Sequence, residues 1–308
     1  MRTIHIRQSD LSSFQRCAQQ QYLYDQQEAG TGKRGQTLSA TVFGTVMHYA
    51  VMVMEKAHHE GNPQALELGL ATFTHYWMPE NVTDLEPQGI DVWLPRQTYG
   101  GMRERGLRSL RDYYSVLVKD DGILLALEHT FSVPIEIDGE EHWLDGTADR
   151  LAIRIYQGKT PYLSVEDFKT GKKPTYLQFA TQWTVYSFAS QFAWFWDGFD
   201  SDEFEDLLRR LVTRKLDLFL TPDHFPLIPR RGRWLSLGME GFSISDCGWR
   251  TEQHYARLKV QLREYIKARS LDVHPLTVDG HICMYCPFSR NGACGGVPIP
   301  DLDEGRPR

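Results

Sequence analysis

Residues 144–169, LDGTADRLAIRIYQGKTPYLSVEDFK, decide how this chain is read. They hold two short apolar strands whose ends carry Asp149, in GTADR, and Asp167 and Lys169, in VEDFK. Side chains alternate across a strand, so Asp167 and Lys169 point to one face while Glu166 and Phe168 point to the other. One strand thus delivers a carboxylate and an ammonium into the same space, and its neighbour can bring Asp149 beside them. Two carboxylates and a lysine around one cavity can hold a divalent metal and a phosphate together. Read alone, the stretch is equally a hairpin with a surface ion pair. Asp145 shares the alternation face of Asp149, but it lies farther along the strand and is the weaker candidate.

Outward from this stretch, the period-2 pattern starts at Gly122. GILLALEHTFSVPIEI and HWLDGTADRLAIRI flank Asp138-Gly139, a hairpin signal. YLSVEDFK makes the third strand. A helix over 174–196 follows, with Gln178, Gln182 and Tyr186 in it. Gln182 and Tyr186 share a face and aim polar groups back at the acidic strand. Upstream, Val42, Val46, Met47, Ala50, Val51 and Met54 mark a helix over 38–60. Gly44 in its interior costs about 1 kcal/mol and implies close packing against a sheet. His48, one turn on, would then reach the sheet's active edge, unless it is a hydrogen-bonded core histidine. Residues 8–27 read as a first helix with Cys17 on its buried face, and 28–36 as a loop ordered only on DNA. Two helices, 64–79 and 96–118, complete the N-terminal half. Beyond the strands, 202–210 reads as helix and 211–228 as strand. Residues 229–234 (PRRGRW) read as a basic loop, Cys247 as lying at a helix start, and 249–269 as a final helix.

The bulk numbers narrow the function. The chain has 308 residues, a formal charge of −6 and 41% hydrophobic residues, enough for a large core. This charge excludes a general basic coat for nucleic acid, so any DNA contact must be local. The N-terminal residues show no secretory h-region, and no apolar run reaches the roughly 18 residues of a membrane span. The expectation is a cytoplasmic protein. Five cysteines, an odd number, argue against a disulfide framework. Cys283, Cys286 and Cys294 cluster near the C-terminus and Cys17 is the natural fourth ligand. Four sulfurs mean zinc or an iron–sulfur cluster. Either would close a loop of roughly 266 residues, with a closure term of about 5 kcal/mol.

GxxxH at 44–48, GxxD at 146–149, DxK at 167–169 and QxxxY at 182–186 occur in that order. Their spacing resembles the RecB-type branch of the PD-(D/E)XK nuclease superfamily. With the split cysteine quartet, the chain is similar to the stand-alone iron–sulfur nucleases related to the CRISPR adaptation exonucleases and to the AddB nuclease domain. The resemblance implies a mixed α/β fold. Its restriction-endonuclease-like core would be a central mixed sheet flanked by helices, at 122–196. A helical insertion would occupy 60–120, and 1–27 with 270–296 would form an iron–sulfur module. It implies that His48, Asp149, Asp167 and the carbonyl of Phe168 bind Mg2+ or Mn2+, and that Lys169 orients water and the scissile phosphate. Gln182 and Tyr186 would position the substrate backbone, and Cys17, Cys283, Cys286 and Cys294 would hold a [4Fe–4S] cluster. The implied activity is exonucleolytic hydrolysis of single-stranded DNA or DNA ends, in recombination, repair, phage DNA metabolism or CRISPR adaptation, with proteins of those pathways as partners. A non-cleaving DNA-end binder and a site-specific endonuclease are the competing readings.

Overall fold

The computed structural model describes residues 3–78, 80–85, 89–94, 96–156, 160–171, 181–197, 230–238, 241–271, 274–275, 283, 286–288 and 293–294. Its centre is a six-stranded mixed sheet: β1 (His5–Arg7), β2 (Ile123–Ile137), β3 (Glu140–Tyr156), β4 (Thr160–Lys169), β5 (Arg230–Gly238) and β6 (Gly241–Trp249). The long strand β3 organises it. One edge of β3 pairs antiparallel with β2. Its other edge pairs parallel with β1 at residues 143–145 and antiparallel with β4 at 150–156. Beyond β4 lie β5, parallel to it, and then β6, antiparallel. The β2–β3 hairpin turns at Asp138-Gly139, both with positive φ (53° and 82°), the left-handed pair that a two-residue turn requires.

Each face of the sheet carries helices. On one side α1 (Gln8–Arg16), α7 (Thr181–Ala189) and α8 (Glu252–Ser270) pack against Leu144, Ala148, Leu151, Leu163 and Val165. On the other, α3 (Ser39–His59), α4 (Ala65–Tyr76) and α6 (Tyr99–Leu117) close over Phe168, Leu235 and Leu237. A one-turn α5 (Val82–Leu85) connects α4 to α6, and α2 (Ala18–Glu28) follows α1. Gly106 of α6 lets the ring of Phe73 take the space a Cβ would fill, so α4 and α6 approach more closely than any side chain there would allow.

Several expectations need correction. The helix over 8–27 is two helices, broken at Cys17, whose φ of −163° and ψ of 111° are extended. The break takes the Cys17 thiol out of the helical row in which it was expected. Residues 28–36 are held without DNA: Gly32 N–H bonds to Gln26 O, Arg34 pairs with Asp91 at 2.8 Å, and Gln36 N–H bonds to Pro287 O. Arg230 to Trp234 are not a loop but the start of β5, because Gly232 allows the strand to lie against the Trp183 ring. Cys247 lies buried in β6, not at a helix start. The expected helix at 202–210 and strand at 211–228 lie outside the described residues, as does Gln178.

Candidate active site

Strand alternation at β3 and β4 sorts the charges by face. Arg150 and Glu166 are register partners, and both point toward α3 and α6. Their neighbours in sequence, Asp149 and Asp167, turn to the opposite face, toward α7. The charges on the α3/α6 face form a buried network. Arg150 donates to Glu55 of α3 (2.9 Å), to Glu166 (2.6 Å) and to Asp120 (2.8 Å). Glu166 also accepts from Arg154 (2.6 Å) and Arg233 (2.8 Å). Burial opposes the Glu166 charge, but Arg150, Arg154 and Arg233 overcome it and hold this carboxyl far below the usual range. Glu166 is thus committed to structure. Glu55 sits two turns beyond His48 on α3, so this network fastens the helix of His48 to the strands of the two aspartates.

On the other face, Asp167 is fully buried and Asp149 is 8% exposed. Asp167 Oδ1 accepts from Gln182 of α7, and Oδ2 lies 2.6 Å from Lys169 Nζ in an ion pair without a well-aligned hydrogen bond. Gln182 also donates to Tyr186 Oη at 2.9 Å, so the two polar groups of α7 act on Asp167 as one unit. Asp149 Oδ2 accepts the Phe168 N–H at 2.7 Å, which locks the end of β4 against β3. His48 Nε2 lies 2.7 Å from the Phe168 carbonyl oxygen. Its Nδ1 lies 3.6 Å from Asp149 Oδ2.

The electrostatics follow from burial. Desolvation raises the Asp149 carboxyl to about 6 and the Asp167 carboxyl to about 7, with Lys169 opposing both shifts. Burial also disfavours the Lys169 ammonium, but Asp167 and Asp149 offset it and raise its pKa. Burial and Lys169 push His48 toward the neutral imidazole. Two facing carboxyls with one lysine between them leave a site short of positive charge, which suits a cation and an anionic substrate bound together.

Every site residue read from the strands, from α3 and from α7 converges here: His48, Asp149, Asp167, Phe168, Lys169, Gln182 and Tyr186. Sequence reasoning passed over Glu128. One of its carboxylate oxygens, one of Asp149 and a ring nitrogen of His48 all lie within 4.8 Å of one another. A signal for it existed. A two-residue turn at Asp138-Gly139 pairs residues equidistant from it, and Leu127 and His129 do pair with Arg150 and Ala148, which sets Glu128 opposite Asp149. Asp145 stands apart, accepting from Ser132 Oγ (2.6 Å) and contacting His5 Nδ1 (2.9 Å). A groove of about 710 Å³ is lined by Tyr186, Gly146, Thr130, Thr147, Ser132 and Arg7 among others.

The cysteines form a second cluster, remote in sequence. Burial raises the Cys286 thiol, and the nearby thiols of Cys294, Cys17 and Cys283 raise it further. Around them, Gln19 N–H bonds to Pro275 O, Tyr22 stacks on His274 with centroids 4.2 Å apart, and Tyr24 packs edge-on to Phe288 at 4.9 Å. Segments at the two ends of the described chain thus meet at four thiols.

The family model of the PD-(D/E)XK nuclease superfamily matches residues 5–291. No curated protein matches the chain. A solved structure described as "Crystal structure of SSO0001" is similar at 14% identity, over 87% of this chain and 92% of that one, with a TM-score of 0.30, too low to carry an argument.

Proposed function

Since the chain belongs to the PD-(D/E)XK nuclease superfamily, whose nucleases use divalent metals such as Mg2+ or Mn2+, we propose that it is a metal-dependent DNA exonuclease acting on single-stranded DNA or DNA ends. The observation that carries this reading is the convergence of Asp149, Asp167, Lys169 and His48, from two strands and a helix, in one buried, cation-poor site. The donor set fits a hard divalent ion, with buried carboxylates and one imidazole. When bound, such an ion offsets charge on the phosphate and makes water easier to deprotonate.

The chain's own groups supply the rest. Lys169 is charged and lies beside Asp167, so its ammonium is available to the scissile phosphate and to the attacking water. Gln182 fixes the rotamer of Asp167, and Tyr186, in contact with Gln182, lines the groove proposed for a strand's backbone. Burial of Asp149 and Asp167 strengthens their attraction for a bound cation.

The RecB-type branch is the proposed family position, with DNA recombination, repair, phage DNA metabolism or CRISPR adaptation as the setting and proteins of those pathways as partners. A cytoplasmic location belongs to the same reading; among the described residues no helix is long and apolar enough to cross a membrane. For Cys17, Cys283, Cys286 and Cys294 the proposed occupant is a [4Fe–4S] cluster with a structural role. Their convergence supports four-thiolate ligation.

A time course with linear single- and double-stranded DNA, labelled at either end, in Mg2+ or Mn2+, tests the reading. Metal-dependent release of nucleotides from an end supports it. Asp167→Ala and Lys169→Ala should each abolish cleavage while the fold persists, and full activity in either purified variant would remove the nuclease assignment. Binding to DNA without degradation would favour a non-cleaving end-binder instead.

A further inference from the structure

Strand register opens a gap in the sheet. On the edge of β3 that carries β1 and β4, β1 pairs only at residues 143–145 and β4 only at 150–156. Residues 146–149 between them have no strand paired on this edge among the described residues. β1 runs parallel to β3 and β4 antiparallel, so their C-terminal ends, Arg7 and Lys169, approach the gap from opposite sides. The groove of about 710 Å³ lies here, with Arg7, Gly146 and Thr147 in its lining. Tyr186 of the candidate site and His5 of β1 line the same groove, which makes it continuous with the carboxylates on one hand and with β1 on the other.

At His5 the groove meets aromatic rings. His5 stacks on Trp143, its register partner, with centroids 6.0 Å apart and planes 9° from parallel. Trp143 in turn meets Trp194 at 6.1 Å and 88°. Trp194 stands on a short 3-10 helix (Ala193–Trp196) that packs on β2. It is 53% exposed, more than any other aromatic residue described, and His5 is exposed beside it. Contiguous rings turned to water bury nothing in the fold but offer flat apolar faces on which nucleobases stack. Duplex DNA keeps its base faces inside, whereas a single strand presents them. The charges lining the groove are already paired, Arg7 with Glu28 at 2.6 Å and Asp145 with His5 at 2.9 Å. Phosphates therefore gain little here, and base faces are left to carry recognition.

We infer that Trp194, Trp143 and His5 form a stacking platform for the unpaired bases of single-stranded DNA, and that the groove leads that strand from the platform to the carboxylates. The strand's destination rests on the nuclease reading, but its binding is measurable without cleavage. Trp143 and Asp149 are separated by about 20 Å along β3. The platform thus engages bases up to about six stacked nucleotides from the scissile phosphate.

The test measures, by fluorescence anisotropy in excess EDTA, binding of the full chain to an oligo-dT of about twelve nucleotides. An abasic strand of equal length and the matching duplex serve as comparisons. The wild type should bind oligo-dT about fivefold or more tighter than either. Trp194→Ala should weaken oligo-dT binding about fivefold or more, leave abasic binding unchanged and keep the melting temperature. Trp194→Leu, which retains apolar bulk against Trp143 but no π-face, should lose the same preference, and Trp194→Phe should keep most of it. The deficit should persist between about 50 and about 200 mM salt, since it involves no phosphate contact. Equal wild-type affinity for oligo-dT and the abasic strand would overturn the inference. So would unchanged oligo-dT affinity in Trp194→Ala, or an equal loss on both strands, which would mark a collapsed groove. The two readings can fail separately. Trp194-dependent binding without degradation once Mg2+ or Mn2+ is added sinks the nuclease and keeps the platform. Normal degradation with unchanged affinity in Trp194→Ala does the reverse.

Discussion

Arg150→Met isolates the network that fastens α3 to the sheet. Arg150 is 1% exposed and holds three carboxylates. Its loss would be felt unequally. Glu166 would keep Arg154 and Arg233, and Asp120 would keep Arg154. Glu55, fully buried, would retain only the Tyr113 hydroxyl and His59 Nε2 at 3.6 Å. An uncompensated buried charge costs about 3–5 kcal/mol, a large share of a stability of roughly 5–15 kcal/mol. The melting temperature should fall by roughly 6–12 °C. Methionine fills most of the arginine stem's space, so the loss would report charge rather than cavity. Scanning calorimetry with urea unfolding at constant m-value measures it. Glu55→Gln in the Arg150→Met background removes the orphaned charge and should recover about 1 kcal/mol or more. A loss below about 1 kcal/mol in Arg150→Met, or no recovery in the double variant, would show that the network does not brace the His48 helix.

Other tests follow from the site. The Asp149 and Asp167 carboxyls, raised to about 6 and about 7, hold protons more tightly folded than unfolded. Their contribution to metal-free stability is present below the unfolded carboxylate range near pH 4 and is lost as pH rises through 6–7. Chelated protein should therefore melt lower at pH 8 than at pH 5, and added Mn2+ should narrow that gap; a metal-free melting temperature that rises over this window refutes the burial argument. Gln182→Ala frees one oxygen of Asp167 and should lower the cleavage rate about tenfold or more, with little change in melting temperature, in the end-labelled DNA assay. Protein prepared without oxygen should be brown, with iron and sulfide by elemental analysis. A colourless preparation with one zinc per chain would overturn the iron–sulfur assignment. Cys286→Ser should increase proteolytic cutting near Pro275 and α2, read by mass spectrometry, and an unchanged cutting pattern would deny the cysteines a stapling role.

The parts of the site written within one strand were legible. DxK places Asp167 and Lys169 on one face because strand alternation is local, and the turn at Asp138-Gly139 announces the hairpin that carries Asp149. His48, Gln182 and Tyr186 were legible as ordered motifs, though only packing could bring α3 and α7 to the same strand ends. Glu128 was hidden because nothing separates it from Glu136, the other acid on β2, until the register is counted from the turn. The β5 strand was misread because PRRGRW has the composition of a loop. Only the parallel pairing with β4, and Trp183 resting on Gly232, make it a strand. The split of the first helix at Cys17 was invisible for the same reason: the extended backbone there serves partners more than 250 residues away.

That distance sets an order of events in the cell. Cys17 emerges from the ribosome early, while Cys283, Cys286 and Cys294 follow roughly 266 residues later. At about 5–20 residues per second, α1, α2 and the short strand β1 spend tens of seconds as a nascent arm before the segment that covers them is synthesised. During that interval β1 has its partner β3 only from residue 143 onward, and the Cys17 thiol has none of its three neighbours. The junction at the four thiols therefore cannot form until the segment carrying Cys283, Cys286 and Cys294 has been made. A chain stalled before residue 283 can pair β1 with β3 and pack α1 on α7, but it leaves α2 and Cys17 without that closure.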